Sequence, residues 1–382
     1  MSRRPFTAGT RNPLNLFTLL TLDLLLEILH RLPVKSLLTL RCVCKSLNSI
    51  ISDPKFAKDH LRLSQTRHYH LLRCPWNMFL RRKFSLSDFQ LRSILSNSPS
   101  TIETKIKFPL NTRDIHAHVI DSCDGIIFFR VQYNYKHCNM VAWNPCTRKL
   151  KTLPPLNLPG HTLNTLYSVG YDSFTDNYKV IVVACYQHYN SYKFCKTQVK
   201  VHTLGSNVWR RIPDFPSENK GVPEGRVGKF VSGAIHWVIK DQDNDSSWVI
   251  LSLDLGNESY QEILQPDYGV HQRLRYFSLG VCRDCLWVLA HTTTFLNIWV
   301  MKDYGNKDSW TKLFSVPFKE FSDNCYAPVL FIYEEDDQVL LDFCGKLYVY
   351  NYKNGTVKIS GIQNLAFTDF SSNVYVESLV SP

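Results

Sequence analysis

The chain has 382 residues, of which 44% are hydrophobic, 13% aromatic and 20% charged. That balance suits one large domain with a small module and excludes an intrinsically disordered chain. The formal net charge of +11 suggests nucleic acid only until it is divided: residues 1–83 hold 15 Lys and Arg against 4 Asp and Glu, whereas residues 84–382 hold 29 of each sign. A nucleic-acid reader carries its basic patch on the domain that reads, so the neutral long domain sets that class aside.

Residues 1–16 read as a flexible N-terminus. Arg3 and Arg4 followed by "LNLFTLLTLDLLLEIL" (14–29) resemble a signal peptide, but Asp23 and Glu27 interrupt the apolar run and no small-x-small cleavage site follows. The two acids are four apart and share a face, while Leu22, Leu25, Leu26 and Leu29 take the other, which predicts an amphipathic helix over Leu22–Leu29 rather than a membrane span. "RLP" breaks it, and Pro33 suits the first turn of a second helix. Leu37, Leu38, Leu40, Val43, Leu47, Ile50 and Ile51 continue at three- and four-residue steps until Asp53-Pro54 stops the pattern. Arg41 and Lys45 lie one turn apart, off the stripe. Some forty residues cannot bury so much aliphatic surface by themselves. Either these helices cap the rest of the chain, or they form an interface for another protein's helices.

"LLLEILHRLPVKSLLTLRCVCKSLNSIISDPKFAKDHL" (Leu24–Leu61) closely resembles the F-box of plant F-box proteins. The resemblance implies an all-α module over 17–60, with three short helices and a break near Val43–Cys44. It also implies docking on a Skp adaptor, and through it on a cullin scaffold and a RING subunit. On this reading the adaptor-binding residues are Leu25, Leu26, Ile28, Leu29, Leu32, Pro33, Val34, Leu37, Leu40, Val43, Cys44, Leu47 and Ile50. The basic excess would suit the acidic surface of such adaptors. Two positions depart from the family: Leu20-Thr21 stands where Leu-Pro is usual, and Leu47 where Trp is usual. Both would weaken docking.

After residue 60 the pattern changes to strands, with a repeated phrase of apolar strand, polar or glycine turn, then a bulky residue. It reads "WNPCTRKLKTLP" (143–154), "VHTLGSNVWRRIP" (201–213), "LSLDLGNESYQEILQP" (251–266), "WVMKDYGNKDSWTKLF" (299–314) and "LYVYNYKNGTVKISGI" (347–362). Leu150, Trp209, Tyr260, Trp310 and Val357 take equivalent places, about 50 residues apart. Such a period predicts a kelch-like β-propeller over 61–382, of about six blades, one of them between residues 66 and 130, in preference to a β-sandwich. Closure is expected from "VYVESLV" (374–380), because an open ring leaves two unpaired edges. The same residues, with "SCDGIIFF", "VGYDSFTDNYKVIVV" and "GAIHWV", resemble the F-box-associated domain of plant F-box/kelch-repeat and S-locus F-box proteins. That resemblance makes the long domain the substrate-binding part.

No catalytic or nucleotide motif is present. "GVPEGRVGKF" (221–230) lacks P-loop spacing and reads as an inter-blade loop. "YEEDDQ" (333–338) reads as a solvated turn rather than a calcium site, and His236 as a packed core histidine. The twelve cysteines, including Cys42/Cys44 and Cys282/Cys285, lack a second ligand pair at finger spacing and read as free thiols of a reducing compartment. The N-x-S/T triplets at Asn244, Asn257 and Asn354 carry little weight without secretion. The expectation is a non-catalytic substrate receptor of an SCF-type ubiquitin ligase, cytoplasmic and/or nuclear, with no cofactor, metal, membrane or nucleic-acid partner. The alternatives are a non-degradative interaction scaffold and a propeller enzyme or carbohydrate binder. Neither the target nor the residues that hold it follow from the sequence.

Overall fold

The computed structural model describes residues 21–63, 68–75, 86–96, 102–110, 115–133, 137–158, 162, 164–187, 194–216, 223–240, 248–268, 274, 276–292, 295–317, 329–343, 346–360, 362 and 370–382. The expected flexible segment 1–16, and Asn244, lie outside them. The chain divides into two compact units, Met1–Arg67 and His68–Pro382. The first holds helices α1 (Leu22–His30), α2 (Val34–Leu40), α3 (Lys45–Ser52) and α4 (Pro54–Leu63). The three expected helices are therefore four, and α4 runs across residue 60. Asp53-Pro54 does end α3, but it also starts α4. The Asp53 carboxylate accepts from the amides of Lys55 (2.7 Å) and Phe56 (3.1 Å), and Pro54 occupies the first helical position, where its missing N–H costs nothing.

The second unit begins with β1 (Tyr69–Pro75), β2 (Leu86–Gln90), a short helix α5 (Leu91–Leu95) and β3 (Thr104–Ile106). Next come β4 (Ile115–Cys123), β5 (Ile126–Tyr133), β6 (His137–Trp143) and β7 (Leu150–Thr152), then β8 (Asn164–Asp172), β9 (Asn177–Gln187), β10 (Phe194–Thr203) and β11 (Arg210–Ile212). They are followed by β12 (Pro223–Val231), β13 (Ala234–Lys240), β14 (Trp248–Asp254) and β15 (Tyr260–Ile263), and by β16 (Tyr276–Cys282), β17 (Cys285–His291), β18 (Phe295–Met301) and β19 (Trp310–Pro317). The last are β20 (Val329–Tyr333), β21 (Gln338–Phe343), β22 (Lys346–Asn351), β23 (Thr356–Ile359) and β24 (Phe370–Val376). Four sheets are four-stranded, as in propeller blades: β4–β7, β16–β19, β20–β23, and β24-β1-β2-β3. The fifth has eight strands, two antiparallel meanders joined by one parallel pair, Tyr167 on β8 with Val227 on β12. "GVPEGRVGKF" is thus largely strand β12, not a loop. Gly228 has its place because Trp237 of β13 lies against it, in the space a Cβ would need.

The first strands of these units pack on one another in ring order, β4 on β8, β8 on β12, β12 on β16, β16 on β20, β20 on β24 and β24 on β4. Neighbouring residues of one strand therefore face different cores. Leu72 joins Phe108, Phe129 and Trp143, whereas Leu71 joins Phe89, Leu340 and Val349. Burial on both faces is why "IIFF", "VIVVA" and "LWVLA" are apolar without alternation.

The repeated bulky positions all fall at the start of an outermost strand, and three make the same bond. Trp209 Nε1 donates to the Pro154 carbonyl (2.9 Å), the Tyr260 hydroxyl to Pro213 (3.1 Å) and Trp310 Nε1 to Leu264 (2.9 Å). Each acceptor lies just past the outermost strand of the preceding unit, so the phrase ties unit to unit. Val357 has no donor. At its seam Phe314 stacks on Tyr352 instead, with centroids 4.6 Å apart. The polar turn is shared too: Asn144, Asp254 and Asn351 each accept two amides of the turn that follows.

Closure uses β24, which pairs with β1 from Tyr69 opposite Val376 to Pro75 opposite Phe370. The expected closing segment is shifted: residues 377–382 are not strand but a tail packed on the β4–β7 sheet. Asn144, fully buried, donates to the carbonyls of Ser378 (3.1 Å) and Val380 (2.7 Å), and the Ser378 hydroxyl donates to the Asp124 carbonyl (2.6 Å). Gly125, at φ +79°, lets the tail pass, since a Cβ there would collide with Ser378. Replacing Asn144 by Ala leaves buried carbonyls unpartnered and should cost roughly 2–4 kcal/mol. Urea unfolding followed by tryptophan fluorescence measures it.

Two histidines, His236 buried and His70 half-buried, give the second unit opposite pH limbs. His236 donates from Nδ1 to the Lys229 carbonyl (3.0 Å), and its Nε2 meets the Tyr304 hydroxyl (2.8 Å). Burial pushes it down to about 4. His70 on β1 lies between Asp88 (2.9 Å) and Glu377 (3.2 Å). Burial disfavours its charge, but the two carboxylates outweigh burial and raise it to about 9. Stability from His236 is complete above its unfolded value, about 6.5, and is lost as pH falls toward 4. Stability from His70 is complete below about 6.5 and is lost as pH rises through 9, each limb being worth roughly 3 kcal/mol at most. Thermal melts of the β unit should peak near pH 6.5, and His70→Gln should flatten only the alkaline limb.

Candidate functional site

The helical unit is the first candidate, because its sequence carries more apolar surface than it can enclose. α1 begins at Thr21, whose hydroxyl accepts the Leu24 amide (3.5 Å), so a side-chain cap does the work that proline would do by shape. α2 follows Pro33, which stands just before its first residue. The break at Val43–Cys44 is present, and Cys44 caps α3 by accepting the Leu47 amide (3.5 Å). α4 completes the unit. Phe56 stacks on His30 of α1 (4.8 Å between centroids), and the buried His60 donates from Nε2 to the Leu32 carbonyl (2.8 Å), at the break between α1 and α2. Burial, with His30 nearby, holds His60 below the usual histidine range against the opposing effect of that bond.

This framework divides the thirteen expected docking residues. Leu29, Val34, Leu37 and Leu47 are buried, and Leu37 is wholly enclosed. They belong to the core of the unit, because a helix with two apolar sides turns one inward and α4 covers it. Leu25, Leu26, Leu32, Pro33, Leu40, Cys44 and Ile50 are half-buried. Ile28 and Val43 stand open, at 48% and 65% exposure. Leu24, 51% exposed, was not expected among them. It lies one turn before Ile28, so the two share a face of α1, and that four-residue spacing was its only signal. Leu22, placed on the apolar side by periodicity, is exposed as well.

In the β unit, His236 is a packed histidine with both ring nitrogens engaged. The "YEEDDQ" carboxylates form an exposed 3-10 turn, Glu334–Asp336, and Glu334 and Glu335 pair with Arg283. Cys282 and Cys285 face each other across the β16–β17 turn as free thiols, Cys282 pushed up to about 12 chiefly by burial. Among the described residues no group of three His, Cys, Asp or Glu could hold a metal ion, and no helix is long and apolar enough to cross a membrane. Among the described residues every left-handed one lies in a hairpin turn, as at Asp124, Asp176, Ser232 and Asp337, so the turns are built to fixed shapes.

The F-box domain family matches residues 17–66, and the F-box associated beta propeller domain family matches residues 78–382. An F-box/kelch-repeat protein of Arabidopsis thaliana is 29% identical over 95% of this chain and 96% of its own length. F-box protein CPR1 of the same plant is 27% identical over 94% of this chain and 88% of its own. Members of this family are adaptor-type proteins rather than enzymes, and an F-box joined to a propeller-like domain fits substrate recognition in SCF ligases in general. With both domain families matched in order over nearly its whole length, the chain belongs to the plant F-box proteins that carry an F-box associated domain.

Proposed function

We propose that this protein is the substrate-recognition subunit of an SCF-type ubiquitin ligase. Its helical unit docks a Skp adaptor, and so cullin and RING subunits, while its β unit holds a target protein for ubiquitin transfer by those partners. The observation that carries this is the uncovered apolar surface of Leu24, Ile28 and Val43 on a unit whose own core is already complete. Transfer by proximity asks only for a rigid holder, which suits a chain without a catalytic motif. Six blades are our reading of the ring, supported by the ring-order packing and by counting the eight-stranded sheet as two blades bridged by one residue pair. Free thiols at Cys42, Cys44, Cys74, Cys123, Cys146, Cys185, Cys282 and Cys285 suit a cytoplasmic or nuclear place.

A non-degradative scaffold is the second reading, and the two departures from the family motif motivated it. At both positions the helical unit supports the receptor reading instead. Thr21 caps α1, and Leu47 is enclosed in the core, where its size bears on packing rather than on the docking surface.

In the full chain, Ile28→Asp with Val43→Asp should cut adaptor co-purification at least tenfold and leave the melting of the β unit within about 1 °C, since both side chains are exposed. Target turnover should slow while the target still co-purifies. Unchanged turnover with the adaptor lost would favour the scaffold. By contrast Leu37→Ala, in the core, should unfold the helical unit at a cost of about 2–5 kcal/mol.

A further inference from the structure

Phe174 stands at the tip of the β8–β9 turn with 88% of its surface open to solvent. The turn that carries it is braced. The Asp172 carboxylate accepts from the Phe174 amide (2.9 Å) and the Thr175 hydroxyl (2.7 Å), and it meets Lys179 Nζ at 2.8 Å. Asp172 and Lys179 are both buried, and the Tyr171 hydroxyl bonds Asp176 across the turn. A large apolar ring held outward by a buried ion pair is preorganised for contact, and contact then costs little ordering entropy.

Beside it the β14–β15 turn presents Gly256. A Cβ on Gly256 would lie 3.3 Å from Asp254 Oδ1, and 3.9 Å from both Asp172 Oδ1 and Phe174 Cβ. The glycine thus leaves a shallow notch with carboxylate oxygens along its floor and the base of Phe174 at its wall. Asp254 accepts the amides of Gly256 and Asn257 (2.9 Å each) and makes no ion pair among the described residues. Beyond it comes Tyr304 on the β18–β19 turn, 37% exposed, its hydroxyl fixed on His236. Burial raises the Tyr304 phenol, and the charge of Asp254 adds to that rise. Aromatic ring, carboxylate and aromatic ring therefore follow one another across three successive four-stranded units. The wider field has the same sign. The ten hairpin turns of this end between β4 and β23 carry ten Asp and Glu against six Lys and Arg, in a long domain that is neutral as a whole.

We propose that this row docks an arginine-bearing segment of a protein partner, the guanidinium lying against Asp254 and stacked on the Phe174 ring. Both wall and floor select a planar cation: the aromatic faces attract it, the Asp254 carboxylate pairs with it, and arginine gives up hydration more readily than lysine. The surrounding acidic turns would steer a basic segment toward the notch. As a target-docking site the row rests on the receptor reading above.

The test uses the full chain and fluorescein-labelled twelve-residue peptides with three Arg in a Gly-Ser background, with the matching Lys and Glu peptides, read by anisotropy at low salt. The Arg peptide should bind at least tenfold more tightly than the Glu peptide and more tightly than the Lys peptide. Phe174→Ala should weaken it at least fivefold. Gly256→Leu, which fills the notch against the base of Phe174 while the ring itself is kept, and which sits at an ordinary backbone conformation, should do the same, with melting read alongside to separate lost contact from lost folding. Equal binding of the Arg and Glu peptides, or unaltered affinity in both variants, overturns the proposal. Adaptor co-purification and target turnover are read in the same variants. Turnover intact in Phe174→Ala and Gly256→Leu overturns the notch as the target site and leaves the receptor reading standing.

Discussion

Pairing of β24 with β1 is the constraint on which the β unit depends. It joins strands from the two ends of that unit, and closing a loop of that length costs about 5 kcal/mol of chain entropy beyond the constant term. Ladder bonds alone are a thin return for it, so the join is reinforced chemically. His70 of β1 reaches Asp88 of β2 on one side and Glu377, just past β24, on the other, while the Tyr375 hydroxyl donates to the second oxygen of Asp88 (3.0 Å). Three strands are thereby fastened by one half-buried charged group. A hydrogen bond to charge is worth about twice a neutral one. The tail then carries the closure into the next sheet through Asn144, so the join is held on both sides.

The other seams obey a related logic with cheaper parts. An indole or phenol at the start of an outermost strand spends its apolar body on packing and its one donor on a carbonyl of the preceding unit. A second device strengthens one seam: Lys179, enclosed beside Asp172, also donates to the Leu255 carbonyl (2.5 Å) and approaches Glu258, which Arg210 holds. A buried lysine is tolerated only when its charge is matched. Here the matching groups come from both meanders of the eight-stranded sheet, so the price of desolvation is met where the two must stay together.

How much of this was legible follows from what kind of signal each feature leaves. Trp209, Tyr260 and Trp310 were legible because a repeated tie recurs at a fixed period. Val357 kept the place in the period but not the donor, and its seam uses a stacked pair that no spacing announces. "GVPEGRVGKF" has the composition of a loop because glycine usually marks turns, whereas Gly228 is small so that Trp237 can lie over it. In the helical unit, period 3.6 found the apolar residues but could not divide core from surface. The division depends on α4, and α4 was hidden because Asp53-Pro54 ends one helix and starts another. Phe174 was invisible as a candidate, since an apolar residue within a turn is common and only the bonds around Asp172 show that it is held outward.

The two units solve opposite problems with the same kinds of residue. The helical unit closes its core with few side chains, using His60 to hold the α1–α2 break and Asp53 to start α4, and it leaves Leu24, Ile28 and Val43 over. Those residues cannot be withdrawn inside, because Leu29 and Leu37 already fill the space. The β unit has apolar residues to spare and buries them on both faces of its sheets, so what it leaves at the turns is mainly polar and fixed in shape. Surplus on one unit is thus apolar, and surplus on the other is mainly charged and held in turns of fixed shape. That difference is set by how completely each unit can close its own core.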